Sequence, residues 1–227
     1  PLPIAVMKSL PISIRIKNCS LASSTIEYEE FPVSGYGKTG LLRIEKASMN
    51  LAPLINHPTS SDPATTVVRL NGSIMGSGSA SAEIQMPLIN GRPYRMKGVF
   101  KDVDLSRLNS SSENLGRIRI KSGFLDLLSF DFTMTEERST GKIIGAYHHL
   151  IIEKLRKHTS TPAVAAVPSF ILRHVIIPLN KDESVPEQKR TGMVNYKRDP
   201  TRFISHYFLQ SLLTGIKSSF KLGFLLP

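Results

Sequence analysis

Strict alternation of apolar and polar residues constrains this chain more than any other feature, because a period of two is the mark of a half-buried strand and is incompatible with a helix. From Ile12 to about residue 157 it recurs in segment after segment. Ile12, Ile14 and Ile16 alternate with Ser13, Arg15 and Lys17; after a turn at Asn18 to Ser20, Ile26 and Tyr28 alternate with Glu27 and Glu29, which predicts a first hairpin. Val68, Leu70 and Ile74 share one face, as do Ala80, Ala82, Ile84, Met86 and Leu88, and the intervening Gly76-Ser77-Gly78 predicts a second. Phe124, Leu128, Phe130, Phe132 and Met134 form the greasiest set, opposite Ser129, Asp131 and Thr133.

Three segments change parity partway. The apolar set moves from Leu42 and Ile44 to Ala47, Met49 and Leu51, from Phe100 to Val103, and from Tyr147 to Leu150. One inserted residue, near Glu45-Lys46 in the first case, explains such a change as a bulge, and bulges bend sheets. Helical spacing is brief here, and Leu105 to Leu115 has room for one short helix. The expected fold is mainly β: an elongated, curled antiparallel meander, groove-like, with one apolar and one polar face and a C-terminal amphipathic helix.

Three regions follow: a curled sheet over 1–157, a Pro/Ser/Thr-rich connection with a short element over 158–190, and a terminal strand and helix over 191–227. Asp199 reads as the N-cap and Pro200 as the first residue of that helix. Phe203, Ile204, Tyr207, Phe208, Leu212, Leu213 and Ile216 make its apolar stripe, expected to dock on the sheet or to lie in a membrane surface. Residues 142 to 227 hold 13 Lys+Arg against 5 Asp+Glu, a net of +8 out of +11 for the whole chain. Lys197, Arg198, Arg202, Lys217 and Lys221 are therefore expected to form a basic rim around the helix.

Convergent chemistry is sparse. His148-His149 is the one histidine pair, and neighbours on a regular strand point to opposite faces, which argues against a shared metal. Asp102/Asp104 and Glu136/Glu137 fall at a strand end and beside a turn, where solvated carboxylates are expected. The Gly72 to Gly78 stretch lacks the following helix that a phosphate loop requires. Cys19 stands alone, so no internal disulfide forms. Aromatics fall on the helical stripe instead of interleaving with cations, so nucleic acid is not an expected partner. The reading is of a protein that is not an enzyme, with no cofactor and no metal. No charge-free apolar run is long enough for a transmembrane helix. The chain opens at Pro1 without a signal pattern and is read as a piece of a longer protein.

The ordered pattern Ile118-x-Ile120-x-Ser122-Gly123-x-Leu125-Asp126-x-Leu128-x-Phe130-x-Phe132, then Gly141-Lys142, Tyr147 and Leu150-x-Ile152, resembles the C-terminal region of the AsmA-like family of bacterial envelope proteins. Gly192-x-Val194-x-Tyr196-x-Arg198, Tyr207 and Ser211-Leu212-Leu213-Thr214-Gly215-Ile216-Lys217 resemble the terminal strand and helix of its Bacteroidetes members. The resemblance covers roughly residues 90 to 227 and departs from the pattern at Gly145, His149 and the Pro-interrupted Ala163 to Pro178. It implies a repeating β-groove facing the periplasm, tethered to the inner membrane by a segment this chain lacks. It further implies conduction of lipid along the concave face, or a part in outer-membrane assembly, without catalytic residues.

An apolar face with few helices to cover it has a burial problem. A phospholipid or other acyl lipid would relieve it, since each buried methylene contributes ~0.8 kcal/mol. The groove candidates are Ala80, Ala82, Ile84, Met86, Leu88, Phe124, Leu128, Phe130, Phe132 and Met134. Two alternatives stay open: the sheet curls upon itself as a structural envelope module, or it scaffolds a protein client through its edges.

Overall fold

The structure, a computed structural model, describes residues 2–32, 38–89, 91–155 and 190–220. Its centre is one eight-stranded antiparallel sheet. The strands are β2 (Cys19–Glu30), β3 (Gly40–Ala52), β5 (Thr65–Ile74), β6 (Ser77–Pro87), β7 (Tyr94–Asp104), β8 (Ile118–Met134), β9 (Arg138–Lys154) and β10 (Arg190–Lys197). They lie in the order β10-β9-β8-β7-β6-β5-β3-β2, so strands that follow one another in this list of the sheet's members are neighbours. Two short strands, β1 (Arg15–Ile16) and β4 (Leu54–Ile55), pair separately. Among the described residues three helices complete the fold: α1 (Pro3–Lys8), α2 (Asn109–Gly116) entered through a 3-10 turn at Leu105–Leu108, and α3 (Ile204–Phe220).

The period-two reading holds for the meander, and the parity changes are bulges. Lys46, Asp102 and His149 sit at φ 50°, 57° and 51°, in the left-handed region, and Ser23 does the same in β2. The register slips where β3 meets β5, between Glu45 and Ser48, and where β8 meets β9, between Leu125 and Leu127. Lys46, Asp102 and the slip at Asp126 lie at similar heights on their strands, and so the sheet bends along a transverse line. The second hairpin is β5–β6, turning at Met75-Gly76, both at positive φ, one residue before the expected Gly76-Ser77-Gly78.

The first hairpin does not form. β1 pairs with β4 and not with β2, which pairs with β3. Asn56, fully buried, supplies the reason: its side chain accepts from Ile14 N–H at 2.7 Å and donates to Ile12 O at 2.7 Å. An interior amide that satisfies a passing backbone holds that backbone out of the ladder. Helix α3 also begins later than expected. Asp199 accepts from Thr201 N–H at 2.9 Å and closes a turn to Arg202, so Pro200 to Phe203 precede the helix and Asp199 is not its N-cap. The expected connection over 158–190 falls almost wholly outside the described residues.

The sheet curls around its apolar face. Rows run across it: Val68, Ile84, Met96, Phe132 and Val194 at one level, Leu70, Ala82, Gly98, Phe130 and Ile143 at the next. Helix α3 covers the β9–β10 side, α1 closes one end and the 3-10 turn with α2 closes the other. The two outer strands, β2 and β10, do not pair, so the curl is not a closed barrel. At one corner α3 bridges toward β2, where His206 Nδ1 lies 2.7 Å from Glu30 Oε1. No described helix is long and apolar enough to cross a membrane, which says nothing of crossing by strands.

Candidate functional site: the inner face of the curled sheet

The predicted groove residues divide into three groups. Leu88, Leu128, Phe130, Phe132 and Met134 are 3% exposed or less, and Ala80 and Met86 are also buried, all on the inner face. Phe130 is the hub: its ring lies 5.4 Å from Phe100, 5.9 Å from Phe132 and 6.0 Å from Phe208 of α3. Phe208 in turn stacks on Phe132 at 5.9 Å. Ala82 and Ile84 are inner but half-buried. Phe124 belongs to the other face. The slip at Asp126 inverts parity, so Leu125 joins Val103 and Tyr147 inside while Phe124 turns outward against His148, with ring centres 5.2 Å apart.

Cover is uneven along these rows. Over β8, β9 and β10, Phe130, Ile143 and Val194 are sealed at 3%, 0% and 2% exposure. Toward the far edge buried Met96 and Val68, 5% and 8% exposed, are interspersed with partly buried Phe100, Ile84, Leu70 and Met49, and the rows end at Leu21, which is exposed. The inner face is thus floored by the sheet and covered by α3 on the β9–β10 side, with α3 reaching β2 at the corner where His206 meets Glu30. Leu42, Leu51, Ile204 and Ile216 are partly buried and pack against the same core.

Helix α3 docks, as the stripe predicts, with two departures. Tyr207 and Leu212 are buried, Ile204, Phe208 and Ile216 half-buried. Phe203 lies before the first helical turn and is 87% exposed, and Leu213 is also exposed. Small polar residues bring the helix close to the sheet edge. Ser211 Oγ and Ser139 Oγ meet at 2.7 Å with both residues fully buried. Met193 N–H donates to Ser218 Oγ at 3.2 Å and Asn195 N–H to Thr214 Oγ1 at 3.4 Å, so α3 satisfies the outer backbone of β10. A Cβ on Gly192 would stand 2.0 Å from Gly215 O, which is why this crossing uses glycine.

The basic rim is reduced. Lys197 and Arg202 are exposed, whereas Arg198 is 8% exposed, ion-paired with Glu136 and laid over the Tyr207 ring at 5.7 Å. Lys217 is half-buried and burial holds its ammonium below the usual lysine range. Lys221 lies outside the described residues. Glu136 is also more than a solvated turn charge: besides Arg198 it accepts from Leu2 N–H at 2.7 Å and so ties α1 to the β8–β9 turn.

The polar face carries a ladder of charges. Arg69 and Lys97 both reach Glu83, at 3.0 and 3.1 Å, and Arg95 reaches Asp131 at 2.7 Å. Hydrogen bonds from Gln85 and then Lys97 hold Glu83 below the usual carboxylate range, and Arg95 does the same for Asp131. Asn71, Ser81 and Ser129 floor a shallow cleft of about 480 Å³ beside this ladder. His148 and His149, expected to diverge, have rings 4.9 Å apart because His149 is the bulged residue, and His148 Nδ1 lies 2.9 Å from Asp126 Oδ1. Asp104 accepts from Ser106 N–H and caps the 3-10 turn. Among the described residues no group of three His, Cys, Asp or Glu side chains is placed to hold a metal ion. Comparison with protein-family models, with curated proteins and with solved structures finds no match to this chain.

Proposed function

We propose that this protein is a non-enzymatic envelope module that accommodates an acyl lipid along the inner face of its curled sheet, as the AsmA-like resemblance implies. One observation carries the reading: beyond the cover of α3 the inner apolar rows continue through partly buried Phe100, Ile84, Leu70 and Met49 to exposed Leu21, and we read this strip as an apolar trough. Elongated apolar chains fit such a trough, and the contribution of ~0.8 kcal/mol per methylene offsets the ordering of a flexible chain. Native mass spectrometry of the purified chain tests this. Copurified phospholipid that is lost in Leu70→Glu/Ile84→Glu supports the reading, and lipid-free protein that also fails to take up a fluorescent fatty acid refutes it.

A scaffold role is the second reading, favoured by the contrast between the two sheet edges. Helix α3 occupies the backbone of β10, whereas no described strand pairs with the outer edge of β2. An unpaired edge accepts an added strand.

A further inference from the structure

The exposed large apolar side chains are not scattered. Ten such residues are exposed among those described, and six of them, Val6, Leu10, Ile12, Ile16, Ile89 and Phe203, belong to segments gathered at one end of the sheet. Hydrogen bonds fix that gathering. Helix α1 is tied there through Leu2 N–H to Glu136 and Ile4 N–H to Tyr94 OH, and Ile16 is held by pairing with Leu54. Ile89 stands in the β6–β7 turn, which with α1 and the β8–β9 turn lines a cleft of about 350 Å³. Phe203 O accepts from Tyr207 N–H, and Tyr207 OH donates to Thr135 O of that same β8–β9 turn.

Ile12 and Phe203 are 61% and 87% exposed, a cost that a fold able to bury Phe132 to 1% has not removed. Around these tips stand exposed Lys17, Arg92, Arg138, Lys197 and Arg202. Of the acids of this end, Asp62 is engaged with Arg15 and Glu136 with Arg198, and the other two, Glu137 and Asp199, are outnumbered by these five cations. These apolar side chains stand on turns and a short helix and are framed by cations. They suit insertion between headgroups, with the cations at the level of the phosphates.

We propose that this end of the molecule, formed by α1, the segment through β1, and the turns at Ile89 and Phe203, docks on an anionic lipid bilayer. The buried side chains of α3 take no part, because they are already packed on the sheet.

Flotation of the full chain with vesicles of phosphatidylcholine, alone or mixed with phosphatidylglycerol, tests the proposal independently of whether the trough carries lipid. The expected result is binding to the mixed vesicles that falls with salt, and at least ~10-fold weaker binding for Ile12→Ser/Ile16→Ser/Phe203→Ser with an unchanged melting temperature. Met193→Ser/Leu213→Ser, which removes two exposed apolar residues from other parts of the surface, should bind as the parent does. The proposal is overturned if the parent does not float with mixed vesicles, if the triple variant binds undiminished, or if the Met193/Leu213 variant loses as much. It is equally overturned if gel filtration shows that the triple substitution dissolves a dimer while the parent ignores vesicles, for then the tips join two copies of the chain.

Discussion

Tyr207 shows how single side chains hold this fold together. It is 1% exposed, its hydroxyl donates to Thr135 O, and Arg198 lies over its ring. Burial pushes its phenol up to about 12, and burial also raises Tyr28, Tyr94, Tyr147 and Tyr196. An unfolded tyrosine ionises near ~10, so each contributes stability that is complete below that value and is lost as pH rises through the folded one. Urea unfolding should therefore show stability falling between about pH 10 and 12, with a shallower decline in Tyr207→Phe. Phe130→Asp should cost several kcal/mol, because a carboxylate placed among Phe100, Phe132 and Phe208 finds no partner; a melting temperature within error of the parent would refute that packing. Lys46, at φ 50°, makes the opposite prediction. Glycine tolerates this backbone where lysine pays about 1 kcal/mol, so Lys46→Gly should raise the thermal midpoint if the bulge persists.

At the scale of elements, what could be read in advance follows from which residues carry the information. The alternation in β5 through β9 and the parity changes at Lys46, Asp102 and His149 were legible because bulges leave a gap in a period that the neighbouring residues keep. The slip at Asp126 was not: alternation assigns Phe124 and Leu128 to one face with Asp126 as its polar exception, which hides a slip that sends Phe124 to the other face. Ile12 to Ile16 has a strand's alternation, and only Asn56, some forty residues on, decides that it wraps the end instead. Local pattern cannot register a partner so distant in sequence. The crossing of α3 over β10 likewise depends on Gly192 meeting Gly215, a pair visible only once both are placed. Gly192→Ala should lift the helix from the edge, and hydrogen exchange at Met193 and Asn195 N–H should quicken more than exchange in β7. Equal protection in both variants would show that the helix simply shifts to make room.

For the molecule as a whole, three surfaces differ in character: an apolar inner face, an end where exposed apolar side chains stand among cations, and a charged outer face whose Arg69, Glu83 and Lys97 pair across strands. Exposed pairs of this kind contribute ~0.2–1 kcal/mol each, so the outer face tolerates substitution where the inner one does not. Deleting residues 200 to 227 should expose β10 and the Phe130 cluster together, lowering the unfolding midpoint and causing aggregation that light scattering reports; a stable monomer would show that α3 is dispensable. The seating of that helix has a further consequence for how such a sheet can be lengthened. With the β10 backbone answered by hydroxyls from Thr214 and Ser218, growth on that side is blocked, while no described strand pairs with the outer edge of β2. A sheet of this design has a finished end and an unfinished one, so any strand joined to it, from the same polypeptide or another, enters at β2 and inherits the direction of the trough.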